Sequence, residues 1–170
     1  MSRLCQCGSQ VDARGLHSLV WKQAPGRSSR HLMLNDLVAR AFVAAGVPVA
    51  KEPAGLVRQD GMRQDGLTLI PFEGGRSLTW NVTVVCSTAD SYIDLAMPGP
   101  GCVAKMAASH KEAKYITLQT HYDFQPIAVE TLGPDNESAT SFLYDLGRRF
   151  LVSGEDRVPQ FLFQRISVAI

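Results

Sequence analysis

The tetrapeptide Arg-Gln-Asp-Gly occurs twice in this chain, at residues 58–61 and 63–66. An aspartate followed by a glycine is common in turns, because the aspartate bonds to nearby backbone and the glycine accepts a positive φ. Asp60 lies between two strand-like runs and needs only this explanation. Asp65 instead opens an apolar run at 65–72, where no further turn is needed. Its carboxylate therefore either serves chemistry or faces solvent.

A polar residue on the following run is a candidate partner for Asp65. The Glu-Gly-Gly turn at 73–75 predicts a hairpin between the runs 65–72 and 77–85. Asn81 then falls close to Asp65 on the adjacent antiparallel strand. Alternation of side chains along a strand places Asn81 on the polar face of 77–85. We therefore expect a carboxylate and an amide side by side.

A lysine is the third candidate group. In a helix predicted over about 103–120, Lys111 falls in the middle of an apolar stripe that should face the sheet, and Lys114 lies at its edge. Lysine is rarely fully buried without a partner. Lys111 therefore either approaches the Asp65 side of the sheet or extends its stem to water. The spacing leaves both arrangements open.

A separate cluster near the N-terminus has the ligand types that zinc prefers, namely Cys5, Cys7 and His17. A structural zinc site needs four ligands, and His31 could provide the fourth by folding back. Nothing in the spacing requires this arrangement, and without it the thiols stay free. Zn²⁺ is thus a candidate metal for this segment.

Hydrophobic periodicity predicts the elements that position these groups. A first helix begins near Ser29, capped by Ser28 or Ser29, and Gly46 and Pro48 end it. The later predicted elements are strands at 49–57, 65–72 and 77–85, a helix at 103–120, a strand at 124–130, and helices at 139–150 and 159–170. This order predicts an α/β (α+β) fold in which helices cover one sheet containing a three-stranded antiparallel meander.

Composition limits the class of protein. With 170 residues, 45% of them hydrophobic, the chain should form one well-cored domain. A net charge of +1 makes no global case for a nucleic-acid or membrane surface, but residues 1–31 carry five basic side chains against one acidic. We therefore separate a basic segment at 1–28, which either meets phosphate or is solvated, from a domain at 29–170. The final helix is still apolar at Ile170, which predicts a domain truncated at its C-terminus.

Cellular location follows from what the sequence lacks. No signal-peptide pattern and no membrane-length apolar run is present, which predicts an intracellular protein of the nucleus or cytoplasm with no membrane partner. In such a compartment the four cysteines are thiols or metal ligands rather than disulfides.

Several motifs together carry a resemblance to a known family. Glu52 in the first strand, Asp65 opening the second, Asn81 in the third, and Lys111 or Lys114 in a helix match the layout of the PD-(D/E)XK nuclease fold. Further matching segments are "CQCG…DARGLHSL" (5–19), "RHLMLNDLVARAF" (30–42), "KEPAGL" (51–56), "RQDGLTLIPFEGG" (63–75), "LTWNVTVV" (78–85), "KEAKY" (111–115), "PIAVETLG" (126–133), "LGRR" (146–149) and "FLFQRISVAI" (161–170). With them the chain resembles the restriction-like endonuclease region of non-LTR retrotransposon reverse transcriptases, or a domesticated or truncated copy.

The resemblance implies metal-dependent cleavage of DNA phosphodiester bonds, with DNA as the partner. Asp65, together with Asn81, would hold Mg²⁺ or Mn²⁺, because carboxylate and amide oxygens suit these ions. Glu52 would assist as a carboxylate, and Lys111 or Lys114 would stabilise charge or orient the nucleophile. The reverse transcriptase domain itself is absent from this chain.

Departures from the family pattern reduce the expected activity. Relatives have an aspartate at the position of Asn81, and a neutral amide touches a metal without adding negative charge. They have a proline at the position of Gln64 and a cysteine four residues after the zinc-binding histidine, where this chain has Trp21. Three functions follow as alternatives: an endonuclease, a non-catalytic DNA-binding remnant of the same fold, or a non-functional retroelement fragment.

Overall fold

A computed structural model describes residues 4–5, 7–11, 13, 17, 21, 25–56, 63–87, 89, 92, 99–131, 135–149 and 158–169. The first Arg-Gln-Asp-Gly copy lies outside the described residues. The helices are α1 (Pro25–Ala44), α2 (Cys102–Lys114), α3 (Glu137–Arg149) and α4 (Val158–Ala169). The strands are β1 (Val49–Lys51), β2 (Gly66–Thr68), β3 (Leu78–Val85) and β4 (Asp123–Glu130), and a 3₁₀ helix follows α2 at Ile116–Thr120.

The four strands form one mixed sheet in the order β1-β2-β3-β4. The pairs β1–β2 and β2–β3 are antiparallel, whereas β4 runs parallel to β3 from Leu78↔Asp123 to Val85↔Glu130. Parallel pairing requires a crossover between the strands, and α2 supplies it. The predicted mixed α/β class is confirmed, and the elements follow the predicted order.

Two strands are shorter than predicted. β1 ends at Lys51 because Glu52 takes a left-handed φ of 47° and Pro53 follows. β2 ends at Thr68, and the next two residues turn outward with exposed side chains. The predicted Glu-Gly-Gly turn is present, with φ of 58° at Gly74 and 79° at Gly75.

Two helix ends also differ from the sequence prediction. α1 begins at Pro25, four residues before the predicted Ser29, since the fixed φ of proline suits the first turn of a helix. α2 ends at Lys114, where the chain tightens into the 3₁₀ helix and the buried Tyr115 packs on Phe124, with ring centroids 5.1 Å apart. At the other end of α2, Glu130 Oε1 accepts the N–H groups of Val103 and Ala104 at 3.1 and 3.2 Å, satisfying donors left open by the helix start.

Helices cover both faces of the sheet. The larger core lies between one face and α1, α3 and α4, and its largest fully buried side chains are Leu34, Phe42, Trp80, Ile127, Leu143 and Leu146. A smaller core packs α2 on the other face, through Val85, Val103, Ala104, Ala107, Ala108 and Ala128. Among the described helices, none is long and apolar enough to cross a membrane.

Packing in the larger core explains why residue 66, in the second Asp-Gly copy, is a glycine. A Cβ on Gly66 would lie 1.9 Å from the ring of Trp80, which is fully buried and stacks on Phe42 at a centroid distance of 4.8 Å. Gly66 is therefore required by close packing of β2 over an indole rather than by a turn. Asp65 is placed immediately before this contact.

Candidate active site

A cavity of about 490 Å³ opens beside the part of β3 that continues beyond its pairing with β2. It is bounded by the first turns of α1, the segment entering β2, and the last turn of α2. Its charged and amide side chains are Arg27, His31, Arg63, Asp65, Asn81 and Lys111. The structure thus brings Asp65, Asn81 and Lys111 to one cavity. The sequence predicted that Asp65 and Asn81 would be neighbours and left the direction of Lys111 open.

The backbone of Asp65 is held from three sides. Its N–H donates to the Trp80 carbonyl at 3.1 Å, and its own carbonyl accepts the N–H of Glu52 at 3.0 Å. Asn35 Nδ2 also donates to the Asp65 carbonyl at 3.1 Å, while Asn35 Oδ1 accepts the Trp80 Nε1–H at 2.9 Å. Asn35 therefore joins α1, the core indole and the candidate site through one buried amide.

Sequence reasoning missed Asn35 as a positioning residue. The signal was present, because an asparagine stands beside Leu34 and within one turn of Leu37 and Val38 on the apolar face of α1. A polar side chain on a buried face needs hydrogen-bond partners, so its position predicts a buried polar contact. It does not predict which strand supplies that contact.

The Asp65 carboxylate has two close neighbours at a single oxygen. Oδ2 accepts the Val82 N–H at 2.6 Å and lies 3.2 Å from His31 Nε2. The Asp65 side chain is 12% exposed and that of His31 35%. The pKa of His31 is raised, chiefly by the hydrogen bond to Asp65, although burial opposes the shift. The pair therefore favours an imidazolium against a carboxylate.

Lys111 is the cavity lysine. Its pKa is lowered because burial disfavours the charged form, while the negative charge of Asp65 opposes this effect and Lys114 adds to it. Lys111 Nζ lies 5.9 Å from the centroid of the Tyr115 ring. Of the two arrangements that the sequence left open, the side chain takes the one at the Asp65 side of the sheet.

The side-chain oxygen of Asn81 is a hydrogen-bond acceptor that no donor among the described residues satisfies. Asn81 is 4% exposed, and its Oδ1 is buried with no hydrogen-bond partner among the described residues. Thr83 Oγ1, two residues further along β3, is in the same condition within the described part of the chain. A buried acceptor without a partner costs about 1–3 kcal/mol. On the β3 side of the cavity, a hydrogen-bond donor or a cation could therefore satisfy Asn81 Oδ1 and Thr83 Oγ1.

Two predicted site residues lie outside the cavity lining. The backbone N–H of Glu52 donates a hydrogen bond to the Asp65 carbonyl, but the Glu52 side chain is exposed. Lys114 lies one turn after Lys111 on α2, and its charge lowers the pKa of Lys111. Their predicted roles in catalysis stay predictions.

The N-terminal ligand types also come together. The ligand atoms of Cys5, Cys7 and His17 all lie within 4.8 Å of one another, and this group could hold a metal ion. Cys7 Sγ lies 3.1 Å from His17 Nε2. Hydrogen bonding to Ser9 lowers the pKa of the Cys7 thiol to about 6, which favours the thiolate that metals bind.

A tryptophan ring packs beside the group formed by Cys5, Cys7 and His17. The Trp21 ring stacks on His17, with a centroid distance of 6.4 Å and an interplanar angle of 14°. His31 does not join the cluster, which corrects its assignment as a candidate zinc ligand there. His31 is in the second turn of α1, and the packing of α1 on the sheet holds its ring against Asp65 instead.

No protein-family model matches this chain, and no curated protein matches it either. The assignment of function therefore depends on the site.

Proposed function

We propose that this chain is a nuclease-like domain of the PD-(D/E)XK type, derived from a retrotransposon endonuclease, which binds the DNA backbone at the cavity. Cleavage is impaired because Asn81 replaces a carboxylate. The observation that carries the proposal is the convergence of Asp65, Asn81 and Lys111 at one cavity. The order helix, three antiparallel strands, helix and parallel strand supports it, because this order brings α1, the segment entering β2, β3 and α2 to one cavity.

The charge of the cavity favours a phosphodiester. Among the described residues, Arg27, Arg63, Lys111 and His31 line the cavity with one carboxylate, that of Asp65. Arginine offers paired donors that match phosphate oxygens, and a partly desolvated lysine adds a point charge. Cations at a nucleic-acid site also gain free energy by releasing the counterions that surround DNA.

The donor set also fits a divalent cation, although with reduced charge. Mg²⁺ or Mn²⁺ would be held by the Asp65 carboxylate and by Asn81 Oδ1, the buried acceptor that lacks a partner among the described residues. When bound, the ion would activate water and neutralise charge on the phosphate. One carboxylate instead of two lowers the affinity for the ion, which favours DNA binding over DNA cleavage in this chain.

We also propose that the N-terminal cluster binds Zn²⁺ through Cys5, Cys7 and His17. Thiolate sulfur and imidazole nitrogen are the donors of structural zinc sites. Trp21 stands where the related pattern has a fourth ligand, and the described residues supply three ligands, so the ion would be held less tightly than in a four-ligand site.

DNA binding tests the main proposal. We expect the full chain to shift duplex DNA in a gel assay, and Lys111→Ala or Arg63→Ala to weaken the shift several-fold. Lys105→Ala is the matched control, because Lys105 is an exposed lysine on the same helix that does not line the cavity. An equal loss in Lys105→Ala, or no binding by the parent chain, would contradict the proposal. Nicking of supercoiled plasmid with Mg²⁺ or Mn²⁺ measures any remaining cleavage.

A further inference from the structure

His31 has the position and chemistry of a metal ligand at the cavity. Its Nε2 atom lies 3.2 Å from Asp65 Oδ2, and its side chain is 35% exposed. The third group at this point is the Asn81 Oδ1 atom, which is buried and has no partner among the described residues. A nitrogen, a carboxylate oxygen and an amide oxygen therefore line one cavity.

The spacing of the first two atoms suits a shared cation. Two donor atoms bound at about 2.1 Å from an ion, at a right angle, lie about 3.0 Å apart. The 3.2 Å contact between His31 and Asp65 already has this separation. An ion bound to both atoms would lie to one side of the line that joins them and would replace their hydrogen bond, while Val82 N–H continues to donate to Oδ2.

The surroundings decide which ions gain from this geometry. Arg27, Arg63 and Lys111 repel any divalent cation, and the described lining of the site offers one carboxylate to offset them. Mg²⁺ depends on negatively charged oxygen ligands, so its affinity is reduced more in such a site than the affinity of ions that bind nitrogen well. First-row transition ions bind imidazole more strongly and in the Irving–Williams order, so they recover affinity through the His31 bond.

We propose that His31 Nε2 is a third protein ligand beside Asp65 and Asn81, and that the cavity therefore prefers first-row transition ions such as Ni²⁺ to Mg²⁺. This inference rests on the proposed function for the presence of a cation site and specifies the cation that the site takes. It assigns His31 to the nuclease-like cavity.

Calorimetric titration with Ni²⁺ and with Mg²⁺, without DNA, tests the inference. The full chain carries Cys5→Ser and Cys7→Ser throughout, so that the N-terminal cluster does not contribute. We expect one Ni²⁺ site that is at least about tenfold tighter than any Mg²⁺ binding, and His31→Ala should weaken Ni²⁺ binding at least about tenfold. His110→Ala is the matched control, because His110 is exposed on α2 and does not line the cavity.

Two further measurements keep the result decisive. His31→Asn retains a hydrogen-bonding side chain, so a loss of Ni²⁺ binding in this variant with an unchanged melting temperature separates ligation from folding. In the parent, paramagnetic Ni²⁺ should broaden the NMR signals of the His31 ring first. Equal affinity for Ni²⁺ and Mg²⁺, or full Ni²⁺ affinity in His31→Ala, overturns the inference.

Failure of this inference is distinguishable from failure of the proposed function. If Ni²⁺ shows no preference but Lys111→Ala still weakens DNA binding, only the role of His31 is wrong. If Ni²⁺ binds as expected but DNA does not bind, the cavity is a metal site and the nuclease-like function is wrong.

Discussion

Asn81→Asp should restore a second carboxylate beside Asp65 and make the stability of the protein depend on metal. Residues 65 and 81 flank the Gly66–Trp80 pair at one end of β2 and β3. Unit charges about 5 Å apart repel by roughly 3 kcal/mol at an effective dielectric constant of 20. Lys111 and the nearby arginines offset part of this repulsion, so we expect a loss of about 1–3 kcal/mol in EDTA.

The assay is thermal unfolding of Asn81→Asp in EDTA and in Mg²⁺ or Mn²⁺. In a domain of this size the loss corresponds to a fall of several degrees in melting temperature. An ion at about 100 times its dissociation constant restores about 2.7 kcal/mol, which recovers the parent value or exceeds it. The parent chain, with one carboxylate, should show a much smaller response to metal.

The matched control exchanges the two side chains. Asn81→Asp with Asp65→Asn contains one carboxylate, so it should avoid the repulsion in EDTA and gain little from metal. The single variant should also raise any nicking of supercoiled plasmid, and Asn81→Asp with Asp65→Ala should abolish it. If Asn81→Asp melts at the same temperature in EDTA and in metal, residues 65 and 81 do not share a cation site.

Three other predictions test separate parts of the account. Gly66→Ala should lower the free energy of unfolding, measured by urea denaturation, by about 3 kcal/mol, because the new Cβ would lie 1.9 Å from the Trp80 ring. A decrease below about 1 kcal/mol would show that β2 can move away from the ring. Burial raises the pKa of Asp135 from 3.8 to about 6, so the folded state binds the proton more tightly and stability should fall as pH rises between these values. Asp135→Asn should remove this pH dependence and raise the free energy of unfolding at pH 7 by on the order of 1–3 kcal/mol. If the stability of the variant depends on pH as that of the parent does, the Asp135 carboxyl is not the buried group responsible. Trp21→Cys should supply a fourth ligand and raise Zn²⁺ affinity at least about tenfold in a chelator competition; no gain would mean that residue 21 does not face the ion.

Periodicity predicted the long elements well because their burial is regular. β3 and β4 lie within a residue or two of their predicted ends, and alternation along β3 correctly separated Trp80 from Asn81. The short strands were overestimated, since a backbone feature ends β1 at Glu52 and no hydrophobic pattern encodes a left-handed φ. The apolar stripe of α2 left the direction of Lys111 open and wrongly extended the helix past Tyr115.

The candidate site was predictable where it depended on neighbouring strands and unpredictable where it depended on a distant helix. Asp65 and Asn81 are joined by one hairpin, so turn and register place them together. His31 and Asn35 reach Asp65 across 34 and 30 residues of sequence, because α1 packs on one face of the sheet. Single-sequence patterns indicate that such a helix has a buried face, but they do not say which strand that face meets.

Binding of DNA at the cavity can be tested with a crystal structure of the full chain and a short DNA duplex. We expect a backbone phosphate in the cavity, with its oxygens within hydrogen-bond distance of Lys111 Nζ and of the guanidinium of Arg27 or Arg63. Duplex bound to another face of the domain, with the cavity free of phosphate, would contradict it.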